Sequence, residues 1–149
     1  MRLVVQRVTR ASVRIGDATV GEIGPGSVAL VGVGRDDTAE IVDRMADKLV
    51  RLRYFADAEG RTNVAIDEAG GTLLVVSQFT LFADVRRGRR PGFAQAASPE
   101  EANRLVNRFV ERLRERGLTV ATGRFGAVMA VELVNDGPFT LVLDSERDL

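Results

Sequence analysis

A chain of 149 residues, 45% of them apolar and 28% charged, has the makeup of one compact globular domain. It contains neither cysteine nor histidine, which excludes disulfides, thiolate chemistry, an imidazole base and the commonest zinc ligand. Its formal charge is zero, so no global positive field draws it to nucleic acid.

The opening Met1-Arg2-Leu3-Val4-Val5-Gln6-Arg7 alternates apolar and polar residues, unlike a secretory leader, and no apolar stretch is long enough to span a bilayer. A soluble, cytoplasmic protein is expected. The alternation makes residues 2 to 8 a strand, followed by strands from Ser12 to Ile15 and from Thr19 to Ile23. Gly24-Pro25-Gly26 then turns the chain into the mostly apolar run Ser27 to Val33, suited to a buried strand. A first helix is expected to open at Asp37, with Glu40 three residues on, to bury Ile41, Met45, Leu49 and Leu52, and to end near Arg53.

Tyr54-Phe55 and a turn at Glu59-Gly60 lead to a strand from Asn63 to Ile66, then to one from Thr72 through Phe79 whose Leu73-Leu74-Val75-Val76 run fits a central position. The loop Arg86-Arg87-Gly88-Arg89-Arg90-Pro91 concentrates positive charge. Only Lys48 is lysine among the basic residues, a usage that coding bias explains more simply than phosphate binding. A second helix has Ser98 as N-cap, Pro99 at the first helical position, Glu101 completing a capping box and Gly117 at its end. Ala102, Leu105, Val106, Phe109 and Leu113 form its apolar face. Strands from Val128 to Val134 and from Phe139 to Leu143 flank Asn135-Asp136-Gly137-Pro138, which reads by composition as a hairpin turn. The sum is a single-domain α+β fold over residues 1–149, an antiparallel-rich β-sandwich or barrel with two main helices packed on one side.

Common chemical motifs are missing. Gly32-Val33-Gly34 lacks the third glycine of a dinucleotide fingerprint and runs into Asp36-Asp37, which repel a pyrophosphate. Asp36-Asp37 and Glu100-Glu101 stand at predicted helix starts, where carboxylates complement the helix dipole, so they read as caps rather than metal or acid/base pairs. Ser12 and Ser77 have no imidazole with which to form a triad. No metal and no cofactor is expected. A non-catalytic RNA-binding module would use the arginine loop, but seven Phe, one Tyr and no Trp form no stacking stripe. A third reading gives the remaining segments only packing and dimerisation roles.

Two segments stay open by pattern alone. Ser77-Gln78-Phe79-Thr80-Leu81 ends an apolar strand with three polar side chains in four positions, as a strand leaving the core does, and as a strand end facing a cleft does. Together with Asn135-Asp136-Gly137-Pro138-Phe139-Thr140, in this order, it resembles the two signature motifs of the D-aminoacyl-tRNA deacylase family. The resemblance runs over nearly the whole chain, through Val5-Gln6-Arg7-Val8, Leu30-Val31-Gly32-Val33, Gly88-Arg89-Arg90-Pro91 and Gly123-Arg124-Phe125-Gly126-Ala127 before Met129. Position 139 is Phe where the family more often has valine, and position 92 is Gly where serine is usual.

The resemblance implies a homodimeric hydrolase that proofreads aminoacyl-tRNA, with active sites at the subunit interface. Ser77, Gln78, Phe79 and Thr80 form one wall of the site. Gly137 and Pro138, joined by a cis peptide and inserted from the other subunit, act as a chirality filter that Arg7 supports. Phe125, Gly126 and Met129 form the pocket for the terminal adenosine. Separately, the local positive charge of their loop assigns Arg86, Arg87, Arg89 and Arg90 to tRNA phosphates. By the same resemblance the tRNA's own terminal 2′-hydroxyl assists hydrolysis, which suits a chain without histidine or cysteine. Backbone N–H groups near Phe79 and Thr80 are expected to hold the oxyanion. A filter pressed on the α-carbon admits D-amino acids broadly, and glycine too, so glycyl-tRNA(Ala) is an expected second substrate.

Overall fold

The computed structural model describes residues 1–86 and 88–149. In chain order the elements are β1 (Arg2–Ile15), β2 (Ala18–Ile23), β3 (Gly26–Gly32), α1 (Ala39–Arg51), β4 (Arg53–Ala56), β5 (Thr62–Ala65), β6 (Thr72–Ser77), a 3₁₀ turn (Phe79–Phe82), α2 (Pro99–Glu115), β7 (Val120–Thr122), β8 (Ala130–Asp144) and a helical turn α3 (Ser145–Asp148). Six strands form one mixed sheet in the order β2-β1-β3-β6-β7, with β8 paired to the other edge of β1. β1 runs antiparallel to β2, β3 and β8, whereas β6 is parallel to β3 and to β7. Gly21 of β2 lies against the Thr122 carbonyl of β7, so the sheet curls almost into a barrel. β4 and β5 make a separate two-stranded piece. Among the described residues no helix is long and apolar enough to cross a membrane.

Burial explains the strand patterns. Leu3, Val5, Ala29, Val31, Leu73 and Val75 pack with Met45, Leu49, Leu105 and Phe109 of the helices on one face of the sheet. Val8, Ala11, Val13, Val28, Leu74 and Val76 form a second cluster on the opposite face. The run Leu73-Leu74-Val75-Val76 is therefore buried on both sides, which is why it is unbroken. This is the expected α+β class with both helices on one side. The helices run side by side and are tied along their outer face by Arg108 to Asp43 and by Arg112 and Arg116 to Asp47. Hydrogen bonds from Arg116 and Arg112 hold the Asp47 carboxyl well below the usual carboxylate range.

Several boundaries differ from expectation. α1 is capped by Thr38, whose side chain accepts the Ile41 N–H at 3.3 Å; Asp37 is already engaged by the Gly34 N–H, at 2.6 Å, and by the Met1 ammonium group. Ile41 and Leu52 are only half-buried, and Val42, Ala46 and Val50 complete the core face. Ser98 caps α2 as expected, but Glu101 turns to Arg104 instead of back to the cap, so the capping box is half made. Gly117, at φ 87°, ends the helix, with the Leu118 N–H donating to the Leu113 carbonyl at 3.2 Å. The expected strands over residues 2 to 8 and Ser12 to Ile15 are one, β1. The last two are also one, β8, so Asn135 to Pro138 is not a hairpin turn. β7 and α3 were not anticipated.

Candidate active site

β6 ends at Ser77, two residues short of the expected boundary, and the chain closes into the 3₁₀ turn Phe79–Phe82. That turn rests on the end of β3 because residue 32 is glycine: a Cβ there would stand 3.0 Å from Leu81 Cβ and 3.1 Å from the Gln78 carbonyl oxygen. The Gln78 N–H donates to the Val31 carbonyl at 2.7 Å, and its side-chain amide donates to the Thr80 hydroxyl. Neither the Phe79 nor the Thr80 N–H meets an acceptor among the described residues, as befits the first turn of a helix.

Beside this turn lies a cleft of about 630 Å³, between the end of β6, the start of α2 and the segment leading into β8. Ser77, Gln78 and Phe79 line it on one side, and Phe125, Gly126 and Met129 on the other. The structure thus brings together two groups of residues that the sequence separates. Thr80 is adjacent but does not line the cleft. Phe93, unremarked in the sequence because it sits alone in a polar loop, packs edge-on against Phe79 with ring centroids 5.0 Å apart. Met129 is seated by Gly123, where a Cβ would come within 2.7 Å of its sulfur, and the sulfur accepts the Arg124 N–H at 3.4 Å. Among the described residues no carboxylate lines the cleft, and the polar groups there are the Ser77 hydroxyl, the Gln78 amide and backbone N–H groups.

Arg7, Gly137 and Pro138 stand elsewhere on the molecule. β8 pairs with β1 through Thr140 opposite Gln6 and resumes with Asn135 opposite Val8, so residues 136 to 139 loop out across from Arg7 alone. The Gly137–Pro138 peptide within this loop is cis. The Arg7 guanidinium donates to the Tyr54 carbonyl at 2.7 Å, lies 2.8 Å from the Asp136 carboxylate and covers the Phe139 ring at 4.4 Å. Asp136, Gly137 and Pro138 are exposed. At Gly137 the backbone is not left-handed, and a Cβ would meet nothing nearer than Asn135 Oδ1 at 3.5 Å. Nothing among the described residues of the chain therefore demands glycine at this position.

The basic loop is closed at its base by paired backbone bonds between Asp84 and Gly92, at 2.7 and 2.9 Å. Asp84 also grips Arg86 with both carboxylate oxygens, at 2.9 and 2.8 Å, and that guanidinium holds the carboxyl well below its usual range. Arg86 is thereby occupied. Arg89 and Arg90 are exposed, without an acidic partner among the described residues; Arg87 lies outside them.

Residues 4–144 match the family model described as D-Tyr-tRNA(Tyr) deacylase. The chain is 59% identical over 147 residues to the D-aminoacyl-tRNA deacylase of Symbiobacterium thermophilum, covering 99% of this chain and 97% of that one. It is 56% identical over 147 residues to that of Anaeromyxobacter dehalogenans, covering 99% of each. Among solved structures it matches a c-Myc DNA unwinding element binding protein with a TM-score of 0.91 at 39% identity, covering 97% of this chain and 98% of the other. It shares its fold with a probable eukaryotic D-amino acid tRNA deacylase, at a TM-score of 0.82 and 20% identity, covering 95% and 97%. Fold and relatives define an α+β hydrolase of ester bonds, built without histidine or cysteine. The chain belongs to the D-Tyr-tRNA(Tyr) deacylase family.

Proposed function

We propose that its D-aminoacyl-tRNA deacylation takes place in the cleft beside Ser77, Gln78 and Phe79, and that the Gly137-Pro138 loop of a second copy completes the site. The observation that carries this reading is the separation of the two segments within one protomer: the cleft lacks the loop, and the loop projects from β8 with a glycine that its own chain does not require. A route to assembly adjoins the cleft. Val131 lines it, and the outer edge of β8 carries no strand among the described residues.

In the completed site the terminal adenosine lies against Phe125, Gly126 and Met129. The carbonyl oxygens of Gly137 and Pro138 press on the substrate's α-carbon, leaving room for hydrogen but not for the Cβ of an L-amino acid. Glycine, as glycyl-tRNA(Ala), passes the same test as a D-residue. Water attacks the ester carbonyl, the carbonyl–O3′ bond breaks, and free amino acid and tRNA leave. The unpaired N–H groups of Phe79 and Thr80 stabilise the oxyanion, a device worth roughly 2.7–4 kcal/mol per donor in other enzymes. The neighbouring 2′-hydroxyl of the tRNA, held in place by the cleft, gives the assistance that no side chain here provides. Arg89 and Arg90 meet acceptor-stem phosphates.

Complementation tests the shared site. Gln78→Ala and Gly137→Val are each expected to lose D-Tyr-tRNA deacylation as homodimers. Refolded together, they form heterodimers in which one site has an intact wall from one copy and an intact loop from the other, so activity returns. Absence of recovery in mixtures shown to contain heterodimer, or a fully active monomer, would refute the shared site.

A further inference from the structure

The residue that fixes where the Gly137-Pro138 loop points is not Arg7 alone. We infer that Asn135 is a positioning residue for D-over-L discrimination, its side-chain amide closing the neck of the loop from which Gly137 and Pro138 project. This rests on the reading of that loop as the chirality filter.

Four residues of β8 stand across from one of β1, and such an excess removes ladder partners from the backbone where the strands part. Asn135 Nδ2 spans this point. It donates to the Arg7 carbonyl on β1 at 2.9 Å and to the Phe139 carbonyl on the far side of the loop at 3.1 Å. Both partners are acceptors only, so the NH₂ group must face them, and the amide orientation is fixed. Oδ1 is then turned toward Gly137, 3.5 Å from where a Cβ would stand. One side chain thus ties the entering strand, the returning strand and the partner strand together. Arg7 grips the flank of the loop through Asp136 and Phe139, but its own backbone is among the groups that Asn135 holds. Aspartate at 135 keeps the shape and loses both donors, setting a carboxylate against two carbonyl oxygens.

The test compares Asn135→Asp and Asn135→Ala with the unmodified full chain on D-Tyr-tRNA and L-Tyr-tRNA, following circular dichroism and assembly state alongside. Both variants are expected to keep fold and assembly, to lose kcat on D-Tyr-tRNA about tenfold or more with KM within about twofold, and to lower the D-over-L ratio by at least about tenfold, because a small displacement of a positioning group is felt in the chemical step. A ratio unchanged in both variants overturns the inference. Should the alanine variant fail to fold, proton exchange of the Asn135 side-chain amide in the ¹⁵N-labelled unmodified protein decides: retarded exchange supports the clamp, and exchange at the rate of a free amide overturns it. Gly137→Val, run in parallel, separates the two claims. If it leaves the ratio unchanged, the filter reading fails; if it lowers the ratio while the Asn135 variants do not, only the present inference fails.

Discussion

The phenol of Tyr54 and the hydroxyl of Ser27 meet 3.1 Å apart in an otherwise apolar interior. Ser27 is the one fully buried polar residue among those described, and the carbonyl of the same Tyr54 receives Arg7. A polar pair at the back of the core is thus linked through one residue to the loop at the surface.

Burial pushes the Tyr54 phenol up to about 12, against the opposing influences of the Ser27 hydrogen bond and the Arg7 charge. An unfolded phenol ionises near pH ~10. The folded state therefore holds its proton longer than the unfolded state, and this contribution to stability is complete below pH ~10 and lost as pH rises toward 12. About 2–3 kcal/mol should disappear over that interval in urea unfolding experiments. Tyr54→Phe should remove this part of the decline; an unchanged alkaline profile in that variant would contradict the assignment.

Gly123→Ala should injure substrate binding more than the fold. Its Cβ would fall 2.7 Å from the Met129 sulfur, the far end of a flexible side chain that can move aside only by leaving the cleft wall. KM for D-aminoacyl-tRNA is expected to rise about tenfold, with a smaller change in kcat, whereas the volume-conserving Met129→Leu should remain within about threefold of the unmodified protein. Steady-state kinetics of the two variants side by side provide the check.

Thr80 is expected to be dispensable as a nucleophile. Its hydroxyl accepts a hydrogen bond from Gln78 and bonds no base among the described residues, so it is weakly activated. Thr80→Ala should retain substantial activity on D-Tyr-tRNA, while tRNA ending in 2′-deoxyadenosine should be a poor substrate. Trapping of an acyl group on Thr80 by rapid quench would overturn this mechanism.

Neutralising Arg89 and Arg90 together should reduce the salt dependence of tRNA binding. Each lost phosphate contact lowers the slope of log K against log salt by roughly 0.7–0.9, so the pair should lower it by roughly 1.4–1.8. Arg86→Ala should change it least, since Asp84 already occupies that guanidinium. D-over-L preference should be untouched. Equal slopes in all variants would return these residues to an ordinary solvated loop.

Legibility in the sequence followed the range of the interactions involved. Helix α2 was plain because Ser98, Pro99, Gly117 and the apolar face all act within a few residues of one another. The cap of α1 lies one residue beyond Asp37, which is claimed by Met1, a residue outside any local window. Asn-Asp-Gly-Pro has the same turn chemistry whether the chain reverses or merely bows outward; only the pairing of both flanks with β1 distinguishes the two. The cleft residues Ser77 to Phe79 and Phe125 to Met129 came from family likeness, not from pattern. Phe93 and Asn135 carry their meaning in contacts that no spacing encodes.

The bow in β8 also bears on how such a protein can change over generations. In a hairpin, one added residue shifts the register of a strand and turns every following side chain to the other face. Here β1 sets the pairing on both sides of the bow, Thr140 with Gln6 and Asn135 with Val8, so residues gained or lost between them leave the ladder where it was. The tip can lengthen, shorten or exchange side chains under selection while the barrel that carries it is inherited intact.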